Sequence, residues 1–247
     1  MPIPGLVSIT FRDKKPREIC ALCVRAGLRA VEWGGDVHVP DVKSAYEVAG
    51  MSRDAGLEIC AYGSYYRLGT GSDAFLRNLD AASALGAPAI RIWLGQKGSC
   101  ETTESERAAL VGALFAICAQ AEKRGIVVAP EFHGGTLTDD IASVFRLLDE
   151  TREIENLRFY WQPRWDWRED DRLRALDAVR ARLMHVHAFT WRHGARGIER
   201  LPLALGAAMW KKVIAGVNDA CVLIEFVEND SDESLLRDAH TLMGWMK

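Results

Sequence analysis

The sequence predicts an α/β protein that folds as a single (β/α)8 TIM barrel over residues 1–247. Short apolar or β-branched segments alternate with longer amphipathic segments eight times, and no linker-like stretch interrupts them. The chain has 247 residues, which is a usual length for a one-domain α/β barrel. Apolar residues make up 49% of the chain, so one barrel has enough apolar side chains to fill its core.

Four strands and four helices are predicted in the first half of the chain. Pro16 suits the start of the first helix, because proline tolerates the first helical position. Gly27, Gly56 and Gly86 suit the ends of the first three helices, because glycine readily adopts the left-handed conformation of a helix cap. The predicted strands span residues 6–11, 30–33, 57–62 and 88–93, and the predicted helices span 16–27, 42–55, 75–85 and 103–123.

The second half of the chain repeats this pattern. Gly125 separates the fourth helix from the fifth strand, and Pro163 ends the sixth strand. An open, doubly wound sheet is the structural competitor, but it would carry a glycine-rich phosphate turn after the first strand, and residues 11–15 contain no glycine. Eight even units in this length therefore favour a closed barrel. The predicted strands span 126–131, 159–162, 183–189 and 221–227, and the predicted helices span 138–148, 171–180, 207–215 and 233–246.

The charge balance disfavours nucleic acid and membranes as partners. The 31 lysine and arginine residues against 34 aspartate and glutamate residues give a net charge of −3, which provides no basic surface for a phosphate backbone or an anionic membrane. No uninterrupted apolar stretch reaches the ~20 residues that span a bilayer, and the N-terminal residues lack the pattern of a secretion signal. We therefore expect a cytoplasmic protein.

The six cysteines lie mostly within apolar helix or strand patterns, which is typical of reduced, buried thiols. Cys20 and Cys23 form a CxxC motif, but they lie within an amphipathic helix and have no second pair. Core packing is therefore favoured over a zinc or redox site at this motif.

Polar residues collect near the carboxyl ends of the later strands, where (β/α)8 barrels carry their active sites. A carboxylate within an apolar strand is costly to bury unless a cation or donor compensates it, and a bound metal ion does so. Glu131, Gln162, His187 and Glu225 come from four successive strands, which a barrel brings side by side. Two carboxylates, an imidazole and an amide oxygen predict a divalent metal site of the manganese, magnesium, cobalt or zinc type. The alternative is an ordinary buried network in which the glutamates pair with cations such as Arg91.

Further residues near the same strand ends are predicted to contact a substrate. Arg91 has two alternative roles, as a substrate contact or as the buried counter-ion of Glu131. His38 lies in a predicted loop, where an imidazole has fewer reasons to pack in a core. His185 lies deeper in its strand than His187, so we expect it in the core or behind the site. The predicted substrate contacts are Glu32, His38, Tyr65, Arg91, Trp93 and His133. Aromatic residues expected at this rim, either against a sugar or beneath the loops, are Trp33, Tyr65, Tyr66, Trp93, Trp161 and Trp165.

Five segments carry a resemblance to a known family: residues 31–40, 61–66, 130–138, 184–187 and 224–226. Through them the chain resembles the xylose-isomerase-like superfamily, also called the sugar phosphate isomerase/epimerase family, over nearly its whole length. The resemblance implies a metal held by Glu131, His187 and Glu225. The sixth strand departs from the family pattern, because Gln162 and Trp165 stand where many members have aspartate and, three residues later, histidine. A neutral amide ligand removes one negative charge, so we expect weaker metal binding or a greater dependence on substrate oxygens.

The resemblance also implies a divalent-metal-dependent isomerase or epimerase that acts on a small sugar or a related polyol-ketone. Such an enzyme removes a proton next to a carbonyl and returns it through an enediolate, which the metal stabilises as a Lewis acid. By similarity to ketose 3-epimerases, Glu131 and Glu225 would be the catalytic acid and base. Two alternatives remain: a metal-dependent dehydratase of an inositol-like ketone, and a catalytically inactive barrel that binds a sugar or a partner protein.

The expected partner is therefore a small sugar-like molecule. Residues 191–196 lie in the long connection after the seventh strand, and they are predicted to form part of a lid or a contact in a homo-oligomer.

Overall fold

The computed structural model describes residues 1–164, 166–194 and 197–247. Within these ranges ten strands form, and eight of them make one parallel sheet. The strands are β1 (Ile3–Val7), β2 (Ala30–Gly34), β3 (Glu58–Arg67), β4 (Ala89–Trp93), β5 (Val127–Pro130), β6 (Phe159–Trp161), β7 (Leu183–Ala188), β8 (Thr190–Gly194), β9 (Gly197–Leu201) and β10 (Cys221–Ile224). The strand order in the large sheet is β5-β4-β3-β2-β1-β10-β7-β6.

Backbone bridges between the two ends of this sheet close it into a barrel. Val128 pairs with Leu157, and Glu131 pairs with Tyr160, so that β5 meets β6. The seven other neighbouring pairs in the ring are parallel as well, as strands connected by helices must be. The predicted (β/α)8 barrel is confirmed.

Helices follow the strands and pack against the outside of the sheet. Gly27 and Gly86 end two of them in the left-handed conformation that the sequence predicts, with φ values of 72° and 74°. No helix in the described ranges is long and apolar enough to cross a membrane. The α-helices are α1 (Pro16–Ala26), α2 (Val42–Asp54), α3 (Ser72–Leu85), α4 (Glu104–Glu122), α5 (Ile141–Glu150), α6 (Glu169–Val179), α7 (Ala207–Ala215) and α8 (Asp232–Trp245).

The first strand lies three residues earlier than predicted. It spans Ile3–Val7, and residues 8–11 form a 3-10 turn. Pro4 and Gly5 suggest a loop in the sequence, but both pair with β10 in the barrel. Gly5 is needed there because a Cβ would lie 2.6 Å from the carbonyl oxygen of Ala30 on β2. Close approach of two strands, rather than a turn, accounts for this glycine.

Side chains inside the barrel form two levels. The lower level is small and apolar, and it includes Ala30, Ala89 and Ala129. Two residues further along the same strands the inward positions are occupied by Glu32, Arg91 and Glu131. Because strand side chains alternate between faces, each polar residue lies directly above a small apolar one. The polar level is therefore at the carboxyl ends of the strands, and a larger apolar core fills the space between strands and helices.

A two-stranded antiparallel hairpin, β8–β9, follows β7 where the sequence predicted only an irregular connection. Its side chains are mostly exposed or half-buried, so its strands lack the apolar alternation that identifies a buried strand. Ala195 and Arg196 lie outside the described residues, so only part of the predicted segment 191–196 is placed.

The cysteine motif packs as predicted. Cys20 and Cys23 are buried on the inner face of α1. Burial raises the pKa of the Cys23 thiol to about 12, because the thiolate loses its hydration. Both are free thiols, and their burial supports the core-packing interpretation.

Candidate active site

A cavity of about 430 Å³ opens at the carboxyl ends of the barrel strands. Glu32 and His187 lie next to it but are fully buried. The residues predicted for the site that line the cavity are Tyr65, Arg91, Trp93, Glu131, His133, Gln162 and Glu225. Most of the predicted site therefore converges in one place.

Glu131, His187 and Glu225 form a compact group of ligand atoms, all within 4.8 Å of one another. His187 Nδ1 lies 3.1 Å from Oε1 of Glu131 and 3.5 Å from Oε2 of Glu225. The other ring nitrogen, Nε2, lies 3.1 Å from Oε2 of Glu32. The imidazole is thus held between the carboxylates of three different strands.

Arg91 and Trp93 fix the second oxygen of Glu131. Arg91 Nη1 and Trp93 Nε1 each donate to Oε2 of Glu131 over 2.5 Å. Arg91 Nε also donates to Oε1 of Glu32 over 2.8 Å, and its side chain is only 2% exposed. Arg91 is therefore a buried counter-ion that also lines the cavity, so its two predicted roles do not exclude each other.

The charged groups shift one another's pKa values. Burial opposes ionisation of Glu131, but the charge of Arg91 and the hydrogen bond from His187 outweigh it and lower the pKa of Glu131 to about 2. Burial raises the pKa of Glu225 to about 7, with the negative charge of Glu131 adding to the effect. Burial disfavours charged His187, but the carboxylates of Glu225 and Glu32 raise its pKa to about 10. Without an ion, protonated His187 therefore neutralises part of this acidic group.

The donor set fits a divalent cation. Three buried carboxylates, of Glu32, Glu131 and Glu225, have one permanent positive charge among them, that of Arg91. A cation held by Glu131 and Glu225 through oxygen and by His187 through Nδ1 would take the place of the proton on that nitrogen. Nε2–H would then keep donating to Glu32, as the second nitrogen of a metal-bound histidine commonly does. Oxygen and imidazole donors suit the predicted manganese, magnesium, cobalt or zinc type of ion.

Gln162 lies immediately after β6 at the cavity wall. Its Nε2 donates to the carbonyl oxygen of Phe132 over 2.7 Å. This hydrogen bond identifies the nitrogen of the amide and leaves Oε1 as the atom that could bind a cation. The other residue in which the sixth strand departs from the family pattern, Trp165, lies outside the described residues.

His133 presents an unpaired nitrogen at the cavity. Its Nδ1 lies 2.8 Å from the carbonyl oxygen of Gly134, and since a carbonyl only accepts, Nδ1 carries the proton. In the neutral ring Nε2 is then a proton acceptor, and it has no hydrogen bond to any residue that the structure describes. The ring packs on Trp93 with the two centroids 4.6 Å apart. His133 is therefore oriented and able to take a proton.

Two predicted substrate contacts do not line the cavity. Glu32 is completely buried, and its carboxylate accepts hydrogen bonds from Arg91 and His187. His38 is 4% exposed, and its ring bonds to the Ser8 hydroxyl and the Lys14 carbonyl. The loop that carries His38 packs against the segment after β1, where the imidazole contacts the Ser8 side chain and the Lys14 backbone.

His185 and several aromatic residues belong to the core. Both ring nitrogens of His185 bond to backbone groups, the Cys60 carbonyl and the Cys221 amide, which agrees with its prediction as a core residue. Trp33 and Trp161 are fully buried. Of the predicted rim aromatics that the structure describes, Tyr65 and Trp93 line the cavity, whereas Trp33, Tyr66 and Trp161 pack in the apolar core between strands and helices.

Other cavity residues were not predicted from the sequence, and most of them lie in loops or in the hairpin. Phe226, directly after Glu225, has a φ of 56°, which is unusual for a bulky residue. Its backbone N–H donates to Thr10 Oγ1 over 3.1 Å, and this contact helps to hold the strained backbone beside a candidate metal ligand. The sequence signal that could have predicted Phe226 as a cavity residue is its position directly after Glu225, a carboxylate predicted at a strand end. The cavity residues not predicted are Ile9, Gly134, Pro163, Arg164, Phe189, Trp191, Ile198 and Phe226.

Comparison with known proteins gives one similar sequence with a curated function. The 3-dehydroshikimate dehydratase of Bacillus anthracis is 26% identical over 159 residues, which cover 59% of this chain and 56% of that protein. The aligned part thus spans little more than half the length of that relative.

Several solved structures share the fold over nearly the whole chain. The probable 3-DHS dehydratase AsbF of Bacillus anthracis has a TM-score of 0.84 at 20% identity, covering 98% of this chain and 99% of its own. The 3-keto-D-glucoside 4-epimerase YcjR of E. coli has a TM-score of 0.73 at 17% identity, covering 100% and 99%. The D-psicose 3-epimerase of Clostridium cellulolyticum H10 has a TM-score of 0.72 at 13% identity, covering 99% and 98%. Residues 20–239 match the family model described as xylose isomerase-like TIM barrel. The protein therefore belongs to the xylose isomerase-like TIM barrel family.

Proposed function

We propose that the protein is a divalent-metal-dependent dehydratase of a hydroxylated cyclic ketone, with 3-dehydroshikimate as the first substrate to test. The observation that carries this proposal is that two possible proton carriers, Glu131 and His133, differ in their hydrogen bonding. Glu131 is held as an anion by Arg91 and Trp93, whereas Nε2 of His133, a cavity residue, has no hydrogen bond to any residue in the described part of the chain. A reaction that needs one mobile proton suits this arrangement better than one that needs two equivalent carriers.

Dehydration of such a ketone needs only one proton carrier. His133 Nε2 would take the proton from the carbon next to the carbonyl and then deliver it to the hydroxyl that leaves from the following carbon, so that water departs. Loss of water from 3-dehydroshikimate gives a dienone, which becomes an aromatic dihydroxybenzoate when a proton of the ring CH2 group is lost and the ketone oxygen is protonated, so the overall reaction is favourable. The 26% identity to a 3-dehydroshikimate dehydratase supports this choice of substrate.

The remaining residues would bind the cation and orient the ketone. Glu131, His187 and Glu225 would hold the ion, with Gln162 Oε1 as a neutral fourth donor. The bound ion would supply Lewis-acid polarisation of the substrate carbonyl. Glu32 would keep His187 oriented through Nε2–H, and Trp93 would keep both Glu131 and the His133 ring in place.

The second candidate is the epimerase that the sequence analysis favoured. It is supported by the carboxylates of Glu131 and Glu225, which line the same cavity and approach the same imidazole. In this alternative one carboxylate would take a proton and the other would return one on the opposite face of the substrate.

A direct test is to load the protein with Mn²⁺ and follow 3-dehydroshikimate by the ultraviolet absorbance of a dihydroxybenzoate product. We expect turnover, and we expect His133→Gln to lower kcat by about 100-fold or more, a usual effect of removing a general base. The exposed His240 provides a matched control, and His240→Gln should leave kcat unchanged. Failure to turn over 3-dehydroshikimate, together with epimer formation from a ketose that depends on Glu131 and Glu225, would favour the second candidate.

A further inference from the structure

We propose that Arg164 binds a carboxylate of the substrate, so that the cavity selects an anionic ring ketone over a neutral sugar. This inference rests on the proposed function for the orientation of the substrate, with the ketone toward Glu131 and Glu225. Arg164 would bind the carboxylate at the other end of that substrate.

Arg164 lies in the loop after β6 and lines the cavity. Its side chain is only 13% exposed, and its carboxylate partner among the described residues is Asp166, to whose Oδ2 the Nη2 group donates over 2.7 Å. The Nε–H group is buried and has no hydrogen-bond partner among the residues that the structure describes. An unpaired donor on a buried cation is costly, and a small rotation of this flexible side chain would let an anion in the cavity pair with it.

The cavity contains one other cation, Arg91, among the residues described as lining it. Arg91 already donates to the carboxylates of Glu32 and Glu131, so its charge is balanced within the protein. Asp166 is 37% exposed, so the charge of Arg164 is balanced only by a carboxylate partly in water. Of the two arginines described at the cavity, Arg164 therefore has the N–H donor that is available to a ligand anion.

Gly134 makes room for this arginine. A Cβ on Gly134 would lie 2.7 Å from Nη1 of Arg164, so a larger residue would displace the guanidinium. Glu131, His133 and Gly134 follow directly after β5, so the contact with Gly134 places Arg164 near the same end of the barrel as the candidate metal ligand and base. Because Glu131, His133 and Arg164 line the same cavity, we place the substrate ketone at the candidate metal ligands, its carboxylate at Arg164 and its ring beside His133. This placement suits a ring with a ketone at one end and a carboxylate at the other.

The experiment compares binding of 3,4-dihydroxybenzoate with binding of its neutral amide, 3,4-dihydroxybenzamide, to the Mn²⁺-loaded protein by calorimetry. We expect the wild type to prefer the acid, and we expect Arg164→Met to weaken binding of the acid by about 30-fold, as loss of a charge-assisted hydrogen bond does. Binding of the amide should change less than about twofold. Arg164→Lys should recover part of the preference, because it keeps the charge without the forked geometry.

Two further variants separate a direct contact from other effects. Arg174, an exposed residue of α6 whose partner is Asp171, is a matched control, and Arg174→Met should bind the acid as the wild type does. Gly134→Ala should lower the preference for the acid, because it displaces Arg164 and removes no charge. Equal losses for acid and amide in Arg164→Met, an unchanged preference, or a wild type that does not bind the acid would each overturn the proposal. Because binding is measured without turnover, a wild type that binds the acid through Arg164 but does not dehydrate 3-dehydroshikimate would refute the proposed reaction alone.

Discussion

Replacing Glu32 with glutamine should weaken both the fold and the candidate metal site, although the side chain does not reach the cavity. Glu32 is 0% exposed and accepts from two cationic groups, Arg91 Nε at 2.8 Å and His187 Nε2 at 3.1 Å. A glutamine amide has one oxygen and one nitrogen at that end, so one of the two donors would face an N–H group. Breaking a buried charge pair in this way costs about 3 kcal/mol or more of unfolding free energy. Loss of the partner of a metal-binding histidine weakens metal binding by about 10- to 100-fold.

Both effects can be measured separately. Urea unfolding of the chelator-treated protein at pH 7 reports the stability, and Mn²⁺ titration followed by electron paramagnetic resonance reports the metal affinity. The exposed Glu155 offers a control for loss of one carboxylate, and Glu155→Gln should match the wild type in both assays. If Glu32→Gln instead raises the KM for substrate and leaves Mn²⁺ affinity unchanged, Glu32 contacts substrate and does not act through His187.

Three further predictions concern the same acidic group. Without metal, stability should be highest at about pH 5, because the contribution of Glu131 is largely present there and the cost of Glu225, which grows between pH 4.5 and 7, is still small. The pKa of Glu131 is lowered to about 2, so its contribution to stability is full above the ordinary pKa of 4.5 and is lost as pH falls toward 2. The pKa of His187 is raised to about 10, so its contribution is full below the ordinary pKa of 6.5 and is lost as pH rises toward 10. A melting temperature that does not change between pH 2 and 10 would contradict these shifts. The pKa of Glu225 is raised to about 7, so this carboxyl group destabilises the fold once pH exceeds 4.5. Glu225→Gln should therefore raise the unfolding free energy of the metal-free protein by about 1–3 kcal/mol, measured in urea at pH 8, while the variant loses bound Mn²⁺ and activity. Full metal occupancy in this variant would exclude Glu225 as a ligand. Gln162→Ala should reduce Mn²⁺ affinity less than Glu225→Gln does, because a neutral donor contributes less to binding a cation; elemental analysis after gel filtration tests this order.

The barrel and its polar level could be predicted because both follow from simple periodicity. Alternation of strand and helix fixes which strands are neighbours in a parallel barrel, and a period of two fixes which strand residues face inward. Glu131 and His187 were therefore expected to meet, and their atoms lie 3.1 Å apart. No comparable periodicity marks the hairpin β8–β9, whose exposed strands carry mixed polar residues.

Loop residues were harder to predict because the path of a loop depends on contacts distant in sequence. His38 lies in a loop but is buried, since the loop packs against the turn after β1. Arg164 was not among the predicted site residues, yet its side chain lies in the cavity wall. Only the absence of a side chain on Gly134, 30 positions away, makes that location available.

The hairpin β8–β9 has a consequence for how substrate preference can change in this family. It contributes Trp191 and Ile198 to the cavity, but its two strands bond to each other in a sheet separate from the barrel. Side chains on such a unit can be exchanged with little effect on the backbone pairing of the eight-stranded ring. The candidate catalytic residues of the cavity thus lie at the ends of the barrel strands, whereas Trp191 and Ile198 lie on a hairpin outside the barrel sheet. Substitutions at Trp191 and Ile198 would then be a practical way to change which ring or sugar the cavity prefers without rebuilding the barrel.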